Sequence, residues 1–228
     1  MPGLNDLRDE LKSKKLLQVA LDFIDLEPAV KVAKEAERGG ADIIEIGTPL
    51  VKAYGIPGAL EIGKAVKSII LMDTKTADAG DVEAEIARRA NAKIMTVLGA
   101  MDDSTIEAAV RKAHEYSILV QVDLINVTDV VRRAKRVVEL GADIVGLHVG
   151  LDVQKARGIS VADMKEEIKE VASTGAIVSV AGGLNRERIL TVLDLPINIY
   201  VVGGAITKAR DPYSATLEIV KILKGNTK

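Results

Sequence analysis

Three observations predict an α/β fold, a (β/α)8 (TIM) barrel with a short extra N-terminal helix. Eight short β-branched runs recur along the chain, and each is followed by a helical pattern. The repeat, about 26 residues per unit over about 210 residues, matches a small barrel of this kind. The runs are Leu17–Leu21, Asp42–Ile46, Ile69–Asp73, Lys93–Leu98, Ile118–Asp123, Asp143–His148, Ala176–Val180 and Ile197–Val202. They are apolar nearly throughout rather than alternating, as expected of parallel strands covered on both faces. A doubly wound open sheet is the competing arrangement, but eight units without a long insertion favour closure.

Taken in order, Leu4–Lys15 is an amphipathic helix suited to cover the bottom of the barrel. Charged amphipathic stretches then span Pro28–Arg38, Asp81–Ala90, Ser104–Tyr116, Thr128–Leu140, Val161–Ala172 and Tyr213–Leu223. Three of the helices end alike, at Gly39-Gly40-Ala41-Asp42, Asn91-Ala92-Lys93 and Gly141-Ala142-Asp143. Gly or Asn there is the left-handed helix stop, and the next strand starts at once. Asp102 or Asp103 before Ser104, and Thr128 before Asp129, are the N-cap candidates. No linker or compositional break interrupts the pattern. One domain is expected over residues 1–228, with the extra helix in 1–15 and the barrel in 16–228.

Composition narrows the function classes. The 228 residues are 48% hydrophobic and 28% charged, with 31 Lys+Arg against 33 Asp+Glu. That balance supplies no basic field for nucleic acid or anionic lipid. Four Tyr, one Phe and no Trp leave little for base or carbohydrate stacking. Without Cys there are no disulfides and no thiolate metal sites. No apolar run approaches the roughly 18 residues of a membrane span, and Met1–Lys15 holds no signal-peptide core. A soluble cytoplasmic protein is the expectation.

In a (β/α)8 barrel, polar residues at the C-terminal strand ends face the active site. Here those ends supply Asp22, Glu45, Asp73 with Lys75 and Asp78, Asp123 and His148. Asp22 alone could cap the helix near Pro28, and Glu45 alone could pair with a lysine. Their shared position at one end of successive strands is harder to explain that way. Carboxylates buried together repel and need a cation or a lysine beside them. In Asp73-Thr74-Lys75-Thr76-Ala77-Asp78, residues two apart share a strand face, so Asp73 and Lys75 can enter the cup together. Asp78 falls at the loop–helix junction, where it could cap the helix after Gly80. His148 ends an apolar strand and is a candidate general acid/base, whereas His114 sits in a charged helix and is read as a surface residue. Gly182-Gly183 and Gly203-Gly204 follow the last two strands, where barrels of this class bind phosphate through backbone N–H groups.

Leu17-Gln18-Val19-Ala20-Leu21-Asp22, Ile44-Glu45-Ile46-Gly47-Thr48-Pro49-Leu50, Asp73-x-Lys75-x-x-Asp78, Leu147-His148-Val149-Gly150-Leu151-Asp152 and Val202-Gly203-Gly204-Ala205-Ile206-Thr207 resemble the orotidine-5′-phosphate decarboxylase superfamily, and within it the branch of 3-hexulose-6-phosphate synthases. The resemblance runs over about residues 16–222. It implies Mg²⁺ on Glu45 and Asp73, a substrate hydroxyl on Asp22, Lys75 beside a developing enediolate and His148 as acid/base. It also implies an acidic position at Asp123 and Asp78 contributed across a homodimer interface. The implied reaction is the reversible, Mg²⁺-dependent aldol condensation of formaldehyde with D-ribulose 5-phosphate to D-arabino-hex-3-ulose 6-phosphate.

Other readings stay open at this point. The related 3-keto-L-gulonate-6-phosphate decarboxylases carry Arg where this chain has Leu151, and a phosphate-binding Arg where it has Gly204. Orotidylate decarboxylation leaves Glu45 and His148 without a task. A non-catalytic sugar-phosphate-binding barrel should lack the strand-end charges. A Schiff-base aldolase would need a neutral Lys75, which Asp73 and Asp78 would oppose.

Overall fold

The computed structural model describes residues 3–225, so the outermost residues of the predicted 1–228 domain lie outside the described residues. Its eight strands are β1 (Leu16–Leu21), β2 (Ile43–Ile46), β3 (Ile69–Thr76), β4 (Ile94–Leu98), β5 (Leu119–Asp123), β6 (Ile144–His148), β7 (Ile177–Ala181) and β8 (Ile199–Val202). Each pairs in parallel with its neighbours, and β8 returns to β1, which closes the barrel. The helices are α1 (Leu4–Ser13), α2 (Leu26–Gly39), α3 (Thr48–Ala65), α4 (Gly80–Arg89), α5 (Asp103–Glu115), α6 (Val130–Glu139), α7 (Leu151–Arg157), α8 (Lys165–Ala172), α9 (Arg186–Leu190), α10 (Gly204–Thr207) and α11 (Pro212–Leu223).

Strand parity divides the apolar side chains into two cores. Leu17, Val19, Ile44, Met72, Val120, Val178 and their like face the helices, packed on residues such as Ala33, Ile62 and Ile106. The alternate positions fill the barrel. The strand registers stagger by two residues for every two strands, so the interior residues fall in layers of four. The lowest layers are apolar: Leu16, Ile69, Leu119 and Ile177, then Ile43, Ile94, Ile144 and Ile199. Above them come Gln18, Leu71, Gln121 and Ser179, then Glu45, Thr96, Gly146 and Val201. Ala20, Asp73, Asp123 and Ala181 lie nearest the mouth. Polarity therefore rises toward the C-terminal ends of the strands. Helix α1 closes the opposite end, with Leu7 and Leu11 joining the interior core.

A buried carboxylate ties that helix down. Asp143, at the foot of β6, accepts hydrogen bonds from Arg8 Nε of α1 (2.9 Å), His114 Nε2 of α5 (2.8 Å) and the Val120 N–H (2.8 Å), and Arg8 Nη2 also donates to it. His114 therefore has a structural partner, where a surface role was expected. The predicted helix stops are left-handed at Gly40 (φ 97°), Asn91 (φ 57°) and Gly141 (φ 93°). Asp102 caps α5 by accepting from the Ser104 N–H. At α6 the cap is Asp129, whose side chain accepts from the Arg132 N–H, and not Thr128. The segment Val161–Ala172 is a 3₁₀ turn (Val161–Asp163) followed by α8, rather than one helix.

Candidate active site

The strand-end residues converge at the mouth of the barrel. On β3, Lys75 Nζ donates to Asp73 Oδ2 (2.8 Å) and reaches across to Asp123 Oδ2 on β5 (3.2 Å). His148, at the end of β6, places Nδ1 2.9 Å from Asp123 Oδ2, and the Ile125 N–H donates to Asp123 Oδ1. On β2, Glu45 is buried and accepts from Gln18 Nε2 of β1 at 2.6 Å. Asp22 follows β1 and lies between two glycines. A Cβ at Gly47 would collide with its Oδ1, and one at Gly203 would come to 3.7 Å from its Oδ2. Asp22 does not cap α2; the N-cap there is Asp25.

Lys75 is not on a regular strand. Its φ is +42°, and the pairing with β4 slips between Met72 and Thr76. Within the chain, the two carboxylates that grip its ammonium are Asp73 and Asp123. Asp78 is exposed, and its carboxylate accepts only from the neighbouring Ala79 N–H among the described residues. Ala79, not Asp78, is the N-cap of α4, and no side chain caps that helix.

Electrostatics separate the carboxylates. Burial pushes Asp22 up, and the nearby Asp73 charge adds to it, against the lysines and His148. Burial raises Glu45 well above the carboxylate range, reinforced by Asp73 and Asp22. For Lys75, burial favours the neutral amine, but Asp73 and Asp123 outweigh it and hold the ammonium charged. Burial alone would also raise Asp123; the His148 hydrogen bond and charge, with Lys75, overcome it and bring the group down to about 2. An ionised Asp123 only accepts, so His148 donates to it through Nδ1, and Nε2 is the ring nitrogen that Asp123 leaves free.

Glu45 and Asp73 are the residues that could hold a cation. Glu45 Oε1 has no hydrogen-bond partner among the described residues, and the four carboxylates Asp22, Glu45, Asp73 and Asp123 share one ammonium, that of Lys75. No group of three or more acidic or imidazole side chains is placed to hold a metal ion among the described residues. Two carboxylates completed by oxygens of another molecule suit Mg²⁺, which keeps few protein ligands, so the residues fit the ion.

The glycine loops divide in character. Gly182 (φ 119°) is required by packing, since a Cβ would strike the Val149 carbonyl. Gly183 (φ 73°) lies beneath Arg188, whose Nη1 donates to the Gly183 carbonyl at 2.6 Å. Gly204 opens α10 and has only the Lys208 stem near it, at 3.8 Å. The Lys208 charge also lowers Asp22. Arg188 and Lys208 thus bring cations to these loops. Neither lies in a motif that marks it, and neither does Thr96, which binds Asp73 Oδ1 at 2.7 Å. For Gln18 the signal would have been a lone polar residue in an apolar strand.

Residues 15–219 match the family described as Orotidine 5′-phosphate decarboxylase / HUMPS. The chain is 42% identical over 211 residues to the 3-hexulose-6-phosphate synthase of Methylomonas aminofaciens, covering 92% of this chain and 99% of that one. A crystal structure of a 3-hexulose-6-phosphate synthase superposes with a TM-score of 0.85 at 40% identity, over 90% of this chain and 97% of the other. The 3-keto-L-gulonate-6-phosphate decarboxylase from Vibrio cholerae has the same fold (TM-score 0.82) at 26% identity, over 95% and 100% of the two chains. The chain therefore belongs to the orotidine 5′-phosphate decarboxylase / HUMPS family.

Proposed function

We propose that this chain is an aldehyde-lyase that condenses formaldehyde with D-ribulose 5-phosphate, reversibly, to D-arabino-hex-3-ulose 6-phosphate. The observation that carries the reading is the unbroken relay from Asp73 through Lys75 and Asp123 to His148, set beside Glu45. It joins a fixed cation to a basic imidazole nitrogen at one mouth. The synthase relatives, at higher identity than the decarboxylase structure, support the same choice. So does Leu151, an exposed apolar side chain where the decarboxylases carry Arg.

Asp22 holds a substrate hydroxyl and orients the ketose over the cup. His148 Nε2 takes a proton from C1 of ribulose 5-phosphate, leaving an enediolate whose charge the Lys75 ammonium faces. C1 then forms a bond to the formaldehyde carbon, whose π electrons pass to oxygen. His148 returns the proton to that oxygen, so protons balance over the cycle. Asp123 keeps the imidazole in one tautomer and stabilises it when charged. Mg²⁺ on Glu45 and Asp73 would add Lewis-acid stabilisation of negative charge on the substrate oxygens. Backbone N–H groups of Gly182, Gly183, Gly203 and Gly204 meet the phosphate, with Lys208 and Arg188 supplying the positive charge. Asp78 is lent to a second subunit's Lys75 in a homodimer; its exposure on this chain supports that role.

The test is a condensation assay with both substrates in chelated buffer. EDTA should abolish turnover and Mg²⁺ should restore it. Full activity after exhaustive chelation would remove the metal from the proposal.

A further inference from the structure

The β3–β4 ladder holds an irregularity at its functional end. Met72 pairs with Met95 and Thr76 with Val97, so Asp73, Thr74 and Lys75 stand opposite a single residue of β4, Thr96. An extended strand would carry Lys75 roughly 7 Å beyond Asp73 along the strand. The bulge, with Lys75 in the left-handed region, folds the side chain back onto the Asp73 and Asp123 carboxylates. A non-glycine residue keeps that conformation only when its surroundings hold it.

Thr96 does the holding. It is buried, and its Oγ1 accepts the Lys75 N–H at 2.9 Å while donating to Asp73 Oδ1 at 2.7 Å. Its carbonyl accepts from Thr74 Oγ1 at 2.6 Å. One hydroxyl thus satisfies the backbone of the lysine and the carboxylate that the lysine grips. The other Asp73 oxygen accepts from Thr48 Oγ1 at 2.6 Å and from Lys75 itself, so Thr96 is the donor that holds Oδ1 and ties the carboxylate to the Lys75 backbone.

We infer that Thr96 is a positioning residue for the reaction. Its hydroxyl sets the β3 bulge and thereby the placement of the Lys75 ammonium against the reacting carbon. This inference rests on the proposed function for its kinetic arm only.

The experiment compares Thr96→Val, which keeps the shape and removes the hydroxyl, with Thr96→Ser, which keeps the hydroxyl. Valine should lower kcat about 10–100-fold with KM for ribulose 5-phosphate within about threefold, because displaced charge weakens the transition state more than ground-state binding. Serine should recover most of the rate. Hydrogen exchange of the Lys75 amide, read without substrate, should accelerate at least tenfold in the valine variant and stay slow in the serine one. A valine variant with wild-type kcat and a protected Lys75 amide would overturn the inference, as would a serine variant as slow as valine. If the valine chain does not fold, Thr96→Cys, similar in size with a weak donor, is held to the same outcomes. A wild-type chain that fails to condense formaldehyde would sink the functional reading, and the exchange arm would still decide the role of Thr96.

Discussion

Replacing His148 by Asn isolates proton transfer from packing. The Asn side chain can place an N–H donor near the position of Nδ1, so Asp123 keeps its partner, but no nitrogen remains at the position of Nε2. His148 is partly exposed and supports no apolar core, so the loss of stability should stay below about 1.5 kcal/mol, the scale of one altered hydrogen bond. For a chain of this size that is a fall in Tm of roughly 3–6 °C. The kinetic effect should be much larger. A general acid/base contributes about 10²–10⁴-fold, or roughly 2.7–5.4 kcal/mol of barrier at about 1.36 kcal/mol per decade. Initial rates of formaldehyde consumption, with a thermal melt on the same sample, separate the two. An unchanged rate, or a variant that does not fold, would show that His148 serves packing and refute the acid/base role.

Three further outcomes follow from the geometry. Asp78→Ala and Lys75→Ala, each inactive alone, should recover toward about a quarter of wild-type activity when mixed under subunit exchange, because half the dimers carry one intact site; no recovery after verified exchange would place each site within one chain. Lys208→Ala should raise KM for the sugar phosphate at least about tenfold with little change in kcat, the mark of lost ground-state binding; an unchanged KM would leave phosphate to the loop amides and Arg188. Asp143 tests stability against pH. Burial would raise its pKa, but the His114 hydrogen bond, the Val120 N–H and Arg8 prevail and hold it below the ordinary value. Its contribution is therefore present above the unfolded value, about 4, and is lost as pH falls through the lower folded one. Asp143→Asn should cost about 3 kcal/mol at neutral pH, with the gap to wild type closing in acid; a gap constant from pH 7 to 3 would contradict this.

The barrel was legible because parallel strands buried on both faces announce themselves as continuous apolar runs, and because Gly40, Asn91 and Gly141 mark helix ends by chemistry that few residues share. The least legible helix is α3: Gly55, at φ 53° and ψ −139°, and Pro57 interrupt it and blur its amphipathic face. The strand-end rule brought Asp22, Glu45, Asp73, Lys75, Asp123 and His148 to one place. Pairwise contacts were beyond it. The bulge at Lys75 depends on Thr96 across the ladder, so local spacing could not tell that Asp123 would be the second carboxylate on the lysine within the chain. Gly182 carries a different lesson: its glycine answers the Val149 carbonyl, so a glycine pair in a phosphate-type loop is not evidence of phosphate by itself.

The central claim, carbon–carbon bond formation at C1 of ribulose 5-phosphate, is tested most directly with ¹³C-formaldehyde followed by NMR. The account predicts that the folded protein, supplied with ribulose 5-phosphate and Mg²⁺, moves the label into C1 of a hex-3-ulose 6-phosphate, and that omitting either substrate prevents it. It is contradicted if the label stays in formaldehyde while the same preparation releases CO₂ from 3-keto-L-gulonate 6-phosphate.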